Sequence, residues 1–83
     1  MPLYMDIHKK VDGATVDAVA DMHLKDLQTQ DKYGVKYQKY WLNESTGVIF
    51  CLVEAPSKEA AARVHREAHG LTADEIHEVR EGS

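Results

Sequence analysis

The stretch VKYQKYWLNESTGVIFCLVEA, residues 35–55, decides the fold of this chain. Its first part, VKYQKYWL, is rich in β-branched and aromatic residues, which are typical of a strand. The next part, NESTG, consists of turn-forming residues. In VIFCLVEA both alternating sets of side chains are apolar, so both faces of this strand need to be buried. The stretch therefore predicts a β-hairpin whose second strand lies in the centre of a sheet.

The residues before the hairpin predict one strand and one helix. LYMDIH alternates apolar and polar side chains, which indicates a strand. After Gly13, Thr15 is a suitable N-cap for a helix, and Gly34 stands where a helix C-terminus favours glycine. Helical spacing predicts one inward-facing stripe for this helix. Its members are Val16, Val19, Ala20, His23, Leu24 and Leu27.

The residues after the hairpin predict a second helix and a last strand. Pro56 ends the preceding strand, and Ser57 can cap a helix with an inner stripe that includes Val64 and His65. EIHEVRE follows as a short strand. The order βαββαβ predicts an α+β, ferredoxin-like single domain over residues 1–83, with a four-stranded antiparallel sheet and both helices on one face. Because the outer sheet face is also apolar, we expect a homodimer that packs sheet against sheet.

Composition narrows the classes of partner and compartment. The net charge of −4 argues against nucleic acid as a partner, since nucleic-acid binding requires a basic face. The chain has no apolar run that approaches the length of a membrane span, and its first residues do not resemble a signal peptide. A single cysteine excludes an internal disulfide. We therefore expect a cytoplasmic protein.

Several potential metal ligands are predicted to converge between the sheet and the helices. His23 and His65 lie on the inner stripes of the helices, and Cys51 lies on one face of the central strand. The register of the first strand decides whether Asp6 and His8 face the helices or the dimer interface, because a shift of one residue exchanges the faces. We favour the register that faces the helices. The predicted ligand set is Asp6, His8, His23, Cys51, His65 and His69.

These residue types suit a late first-row metal ion. Neutral imidazole, thiolate and carboxylate groups bind nickel, copper, cobalt and zinc, and the residues alone do not choose among these ions. His65 and His69 are four residues apart, on one face of a helix. Taken singly, a histidine on an apolar stripe is usually a hydrogen-bonded core residue, and Cys51 is usually a small hydrophobe. Asp26 fits either an outer shell around the metal or the surface, and His77 is expected to be exposed.

Four segments resemble a family of small stand-alone bacterial proteins of formerly unknown function that has a described nickel-binding member. The segments are YMDIH, HLKDLQTQDKYGVKYQKYW, FCLVEAPSKEAA and VHREAHGL. The resemblance implies a ferredoxin-like fold, a homodimer and a role in nickel sequestration or detoxification. On this ground we expect Ni²⁺, with Cu²⁺ or Zn²⁺ as alternatives. The resemblance also implies nickel at the dimer surface, so surface sites that use His8, His69 or His77 stay open beside the inner cluster.

Three functions follow from these residues. The first is a metal-binding protein that sequesters or buffers nickel and catalyses no reaction. The second is a small dimeric enzyme that uses the Asp/His/Cys pocket between sheet and helices for acid–base or nucleophilic chemistry. The chain has no glycine-rich phosphate loop and no serine-centred elbow, which argues against the enzyme. The third is a regulatory module whose histidines respond to pH.

Overall fold

The computed structural model describes residues 1–82 and has the predicted order of elements. The elements are β1 (Leu3–His8), α1 (Val16–Thr29), a 3-10 turn (Gln30–Tyr33), β2 (Lys36–Asn43), β3 (Val48–Glu54), α2 (Lys58–Ala68) and β4 (Glu75–Val79). The strand order is β2-β3-β1-β4, and all neighbours are antiparallel. The α+β ferredoxin-like prediction is therefore confirmed. The last strand is two residues shorter than expected. None of the helices described is both long and apolar enough to cross a membrane.

The register of β1 brings its polar residues to the helix side of the sheet. Tyr4, Asp6 and His8 are buried, whereas the residues between them are only half-buried. Asp6 lies directly opposite Cys51 on β3, and His8 lies opposite Ile49. The two strands therefore present one buried face to the helices, and this is the register that the ligand prediction requires.

A β-bulge in β2 turns two tyrosines towards the helices. Tyr37 pairs with Val53, but the next pair is Lys39 with Leu52, so Gln38 is the extra residue. A bulge shifts the alternation of side chains by one position. Tyr37 and Tyr40, three residues apart, consequently face the same side of the sheet.

The hairpin turn depends on Asn43 and Gly47. The Asn43 side chain accepts hydrogen bonds from the backbone N–H groups of Ser45 and Thr46 at 3.1 and 3.2 Å. Gly47 has a φ of 74°, and a Cβ added there would lie 2.8 Å from the carbonyl oxygen of Val11. Only glycine fits this close approach without displacing the backbone. The contact joins the hairpin turn to the loop that precedes α1.

The predicted apolar stripe of α1 is wrong in part. Val19 is buried, but four predicted members are exposed: Val16, Ala20, Leu24 and Leu27. The buried face of the helix instead includes Asp26, which is 2% exposed. The helix is rotated towards Asp26 because the histidines of α2 offer this carboxylate the hydrogen bonds that a buried charge requires. α1 also ends earlier than expected, and the 3-10 turn connects it to Gly34, which has a φ of 65°.

The outer face of the sheet is apolar and partly exposed. Leu3 and Met5 on β1, with Phe50 and Leu52 on β3, are half-buried. Trp41 on β2 lies opposite Phe50 and is 49% exposed. This face is the one that the predicted homodimer would cover.

Candidate metal centre

Four of the predicted ligands form one buried cluster. They are Asp6 and His8 on β1, Cys51 on β3 and His65 on α2. Each offers one donor atom, and the four atoms all lie within 4.8 Å of one another. The strand pairing brings Asp6 beside Cys51, and the period of two along β1 adds His8 on the same face. α2 is anchored above them by Ala61 and Val64, which are fully buried.

Two of the three shortest distances in the cluster match the spacing of ligands around one ion, and the third is a hydrogen-bond distance. Nε2 of His8 lies 3.3 Å from Nε2 of His65 and 3.3 Å from Oδ1 of Asp6. Nε2 of His65 lies 2.9 Å from Oδ2 of Asp6. Metal–nitrogen bonds of about 2.0 to 2.1 Å in a tetrahedral site hold neighbouring donors about 3.3 Å apart. The donor atoms of these three residues therefore fit a late first-row metal ion with little rearrangement.

Two polar atoms of the cluster have no hydrogen-bond partner within residues 1–82. They are Oδ1 of Asp6 and Nδ1 of His8. Oδ1 of Asp6 is close to Nε2 of His8, but the contact lacks the geometry of a hydrogen bond. Buried polar atoms are rarely left unpaired, and a ligand or an ion is one common explanation. An ion among these donors would satisfy the carboxylate oxygen.

A second carboxylate contacts His65 from the opposite side of its ring. Oδ1 of Asp26 lies 2.8 Å from Nδ1 of His65 and 3.1 Å from Nε2 of His69. Nδ1 of His69 accepts a hydrogen bond from the backbone N–H of Leu71 at 3.1 Å. Asp26, His65 and His69 therefore form a second group of donor atoms that shares His65 with the first.

Tyr37 supports the cluster from β2. Its hydroxyl lies 2.9 Å from Oδ2 of Asp6 and 3.1 Å from the carbonyl oxygen of Ala61, and it can donate to either. Its ring lies against the ring of His65, with centroids 4.5 Å apart. The sequence analysis missed this role, because the bulge at Gln38 that turns Tyr37 inward has no clear signal in the sequence.

The carboxylates and histidines of the cluster shift one another's pKa values. Burial raises the pKa of Asp6, but the hydrogen bonds and positive charge of the neighbouring histidines outweigh burial and hold that pKa well below its usual range. Burial also raises the pKa of Asp26, but the contacts with His65 and His69 outweigh burial and lower that pKa. Burial lowers the pKa of His65, but hydrogen bonds to Asp26 and Asp6 outweigh it and raise the pKa to about 9. Burial and the charge of Asp6 raise the pKa of the Cys51 thiol.

A small cavity of about 20 Å³ adjoins the cluster, and His23 lines it. His8, Cys51, His65 and His69 also line this cavity. The ring of His23 lies against Tyr40, with centroids 4.8 Å apart, and burial lowers its pKa. A water molecule needs roughly 10 to 15 Å³ of such space, so the cavity accommodates about one water molecule or one ion.

The six predicted ligands thus have three different positions. Asp6, His8, Cys51 and His65 form the inner cluster, which we call the inner site. His69 belongs to the group around Asp26, and His23 belongs to neither group but lines the cavity. The exposed residue His77 contacts only Glu75 among the side-chain partners described, at 2.9 Å.

Comparison with known proteins connects this arrangement to a family. The chain has no match among the curated proteins. It is similar to a solved structure described as the crystal structure analysis of SCO4226 from Streptomyces coelicolor A3(2). The two share 40% sequence identity with a TM-score of 0.90, over 98% of this chain and 99% of that one. The family described as nickel responsive protein SCO4226-like matches residues 4–79. The protein therefore belongs to the SCO4226-like family of nickel responsive proteins.

Proposed function

We propose that this protein binds one divalent late first-row metal ion per chain, with nickel favoured, at the inner site. The ligands are Asp6, His8, Cys51 and His65. The observation that carries this proposal is the approach of two imidazole nitrogens and one carboxylate to within 3.3 Å of one another. The position is buried, and one carboxylate oxygen there has no hydrogen-bond partner among the described residues. Such a concentration of donors is costly to bury unless an ion or protons bind it.

The choice of nickel rests on the donor set and the family. A mixture of imidazole, carboxylate and thiol donors suits nickel, copper or zinc. The family is described as nickel responsive, which favours nickel among these ions. Copper binds most such sites more tightly, so selection in the cell depends on which ion is available. Because the ligands are buried, we propose sequestration or buffering of the ion, in the cytoplasm, with the ion as cargo.

The alternative function, a small enzyme, has less support. The cavity beside the inner site has a volume of about 20 Å³, which is far below that of a pocket for an organic substrate. The raised pKa of Cys51 keeps its thiol protonated at neutral pH, whereas a nucleophilic cysteine requires the thiolate. A metal ion would change this balance, because a coordinated thiol loses its proton.

We also propose that the protein is a homodimer whose copies meet through the outer face of the sheet. The apolar side chains of Leu3, Met5, Phe50, Leu52 and Trp41 are only partly covered there. An extended apolar face of this kind marks an interaction surface, and an identical copy is its simplest partner.

The metal-binding proposal is tested by calorimetric titration of the metal-free protein with Ni²⁺, Zn²⁺ and Cu²⁺. We expect saturable binding of one ion per chain at the inner site. His8→Gln and His65→Gln each remove one proposed ligand and should weaken nickel binding by tens-fold or more. His77→Gln is the matched control, because it removes an exposed histidine and should leave the affinity unchanged.

Circular dichroism of each variant checks that it keeps the fold. If folded variants at both positions keep the affinity of the wild-type protein, the inner site is not the binding site. If His77→Gln alone abolishes binding, the ion binds at the surface.

A further inference from the structure

We infer that Asp26 is a positioning residue of the inner site: it holds one ring nitrogen of His65 so that the other faces the ligands, and it keeps His69 outside the ligand set. This inference rests on the proposed metal-binding function. It assigns to α1 a part in a site that is otherwise built from β1, β3 and α2.

The two ring nitrogens of His65 have different partners. Either nitrogen of a neutral imidazole can bind a metal ion, and the hydrogen bond of the other decides which one does. Nδ1 of His65 lies 2.8 Å from Oδ1 of Asp26, and a carboxylate oxygen only accepts. In the metal-free protein Nε2 lies 2.9 Å from Oδ2 of Asp6 and donates to that carboxylate in the same way. When an ion takes the place of this second proton, Asp26 holds the remaining proton on Nδ1, and the lone pair of the neutral ring is on Nε2. Nε2 is the atom that approaches His8 and Asp6.

α1 is oriented so that Asp26 faces inward. Leu24 and Leu27 on this helix are 52% and 39% exposed, while Asp26 is 2% exposed. Exposing leucines while burying a carboxylate is unfavourable, so this orientation requires a specific partner for the carboxylate that offsets the cost. The partners are the ring nitrogens of His65 and His69. The orientation of the helix is thus the one that delivers a carboxylate to His65.

His69 lies four residues after His65 but is the C-cap residue of α2, just beyond the last helical residue, so it does not continue the helix face that was predicted for the pair. Nδ1 of His69 accepts the N–H of Leu71, so the proton of the neutral ring is on Nε2, which lies 3.1 Å from Oδ1 of Asp26. Both nitrogens of His69 are therefore engaged outside the inner site. One carboxylate oxygen thus distinguishes the two histidines, because it contacts Nδ1 of His65, which leaves Nε2 facing the ligands, but contacts Nε2 of His69.

The test compares three variants by calorimetry with Ni²⁺ as the probe. Asp26→Leu removes the acceptor and fits an apolar helix face, whereas Asp26→Asn keeps an acceptor oxygen without the charge. Asp21→Asn is the matched control, since Asp21 lies on the exposed side of α1, 3.3 Å from Lys25. Loss of such an outer partner typically weakens metal binding by about 10- to 100-fold. We expect that loss in Asp26→Leu, a smaller loss in Asp26→Asn and none in Asp21→Asn.

A second measurement separates positioning from a general effect on structure. Nitrogen-15 NMR of histidine side chains in the Zn²⁺-loaded protein reports which ring nitrogen carries the proton. We expect His65 to bind zinc through Nε2 with the proton on Nδ1 in the wild-type protein, and to lose this single state in Asp26→Leu. The backbone amide spectrum should meanwhile keep the native pattern.

The outcomes are distinct for the two proposals. If the wild-type protein binds neither ion, both the proposed function and this inference are overturned. If the wild-type protein binds and both Asp26 variants keep its affinity and its His65 protonation pattern, only the role of Asp26 is overturned. If His69 supplies a zinc-bound nitrogen in the wild-type protein, the claim that Asp26 keeps it outside is overturned.

Discussion

The metal-free protein should lose stability as pH rises from about 7 to 9, because His65 then gives up its proton. His65 is 1% exposed, and its pKa is raised from 6.5 to about 9 by its two carboxylate partners. A group whose pKa is raised by folding contributes stability that is fully present below its unfolded pKa and is lost as pH rises through the folded value. The contribution of the His65 charge is therefore complete below about pH 6.5 and absent well above pH 9.

The size of the effect follows from the two pKa values. A difference between 6.5 and about 9 corresponds to on the order of 3 kcal/mol of unfolding free energy, lost at about 1.4 kcal/mol per pH unit. Asp6 and Asp26 do not titrate in this range, because their pKa values are held below the usual value of 3.8. The raised pKa of the Cys51 thiol adds a loss of the same sign only as pH approaches and passes its ordinary value of 9.0.

Urea unfolding of the metal-free protein, in the presence of a chelator and at half-unit steps between pH 6.5 and 8.5, measures this slope. His65→Gln is the control, since glutamine does not titrate, and its curve should be flat over the same range. A wild-type curve that is flat, or that rises with pH, would refute the buried positive charge on His65.

Three further predictions concern the ion, the hairpin turn and the dimer. Nickel must displace the proton of His65 in order to bind there. Calorimetry should therefore find that the nickel affinity rises at least about tenfold per pH unit between pH 6.5 and 8.5. A constant affinity would exclude His65 as a ligand. Gly47→Ala places a Cβ against Val11 and should lower the free energy of unfolding in urea by about 2 kcal/mol or more. Gly13→Ala is the control: its Cβ meets no described atom within 4 Å, so it should lower that free energy by only about 1 kcal/mol. Equal losses in the two variants would contradict the contact with Val11. If the proposed dimer forms, Trp41→Glu should convert it to a monomer in sedimentation, and Leu24→Glu on the exposed side of α1 should not. The reverse result would contradict a dimer through the outer face of the sheet.

The sequence predicted the fold because its local signals agree with one another. The turn-forming residues after Leu42, the N-caps Thr15 and Ser57 and the glycine at position 34 all occur where the structure has a turn or a helix end. The alternation in β1 left two registers open, and the face of Asp6 depended on which was adopted. Burial of Tyr4, Asp6 and His8 follows the register that we favoured.

The features that the sequence did not reveal are those that depend on tertiary partners. The apolar residues of α1 indicate a stripe through Leu24 and Leu27, but Asp26 turns inward because α2 supplies two histidine partners from 39 or more residues away. Tyr37 reaches Asp6 only because Gln38 forms a bulge. Neither effect has a local pattern, so the phenol beside Asp6 was absent from the predicted site, and Asp26 was left open between an outer shell around the metal and the surface.

The central claim is that an ion binds inside the chain, between the sheet and the helices. The most direct test is a crystal structure of the nickel-loaded protein with an anomalous difference map collected at the nickel edge. We predict one strong peak per chain within bonding distance of Nε2 of His8 and Nε2 of His65, with Asp6 and Cys51 beside it. Peaks found only at exposed residues such as His77, with none at the inner site, would contradict the account.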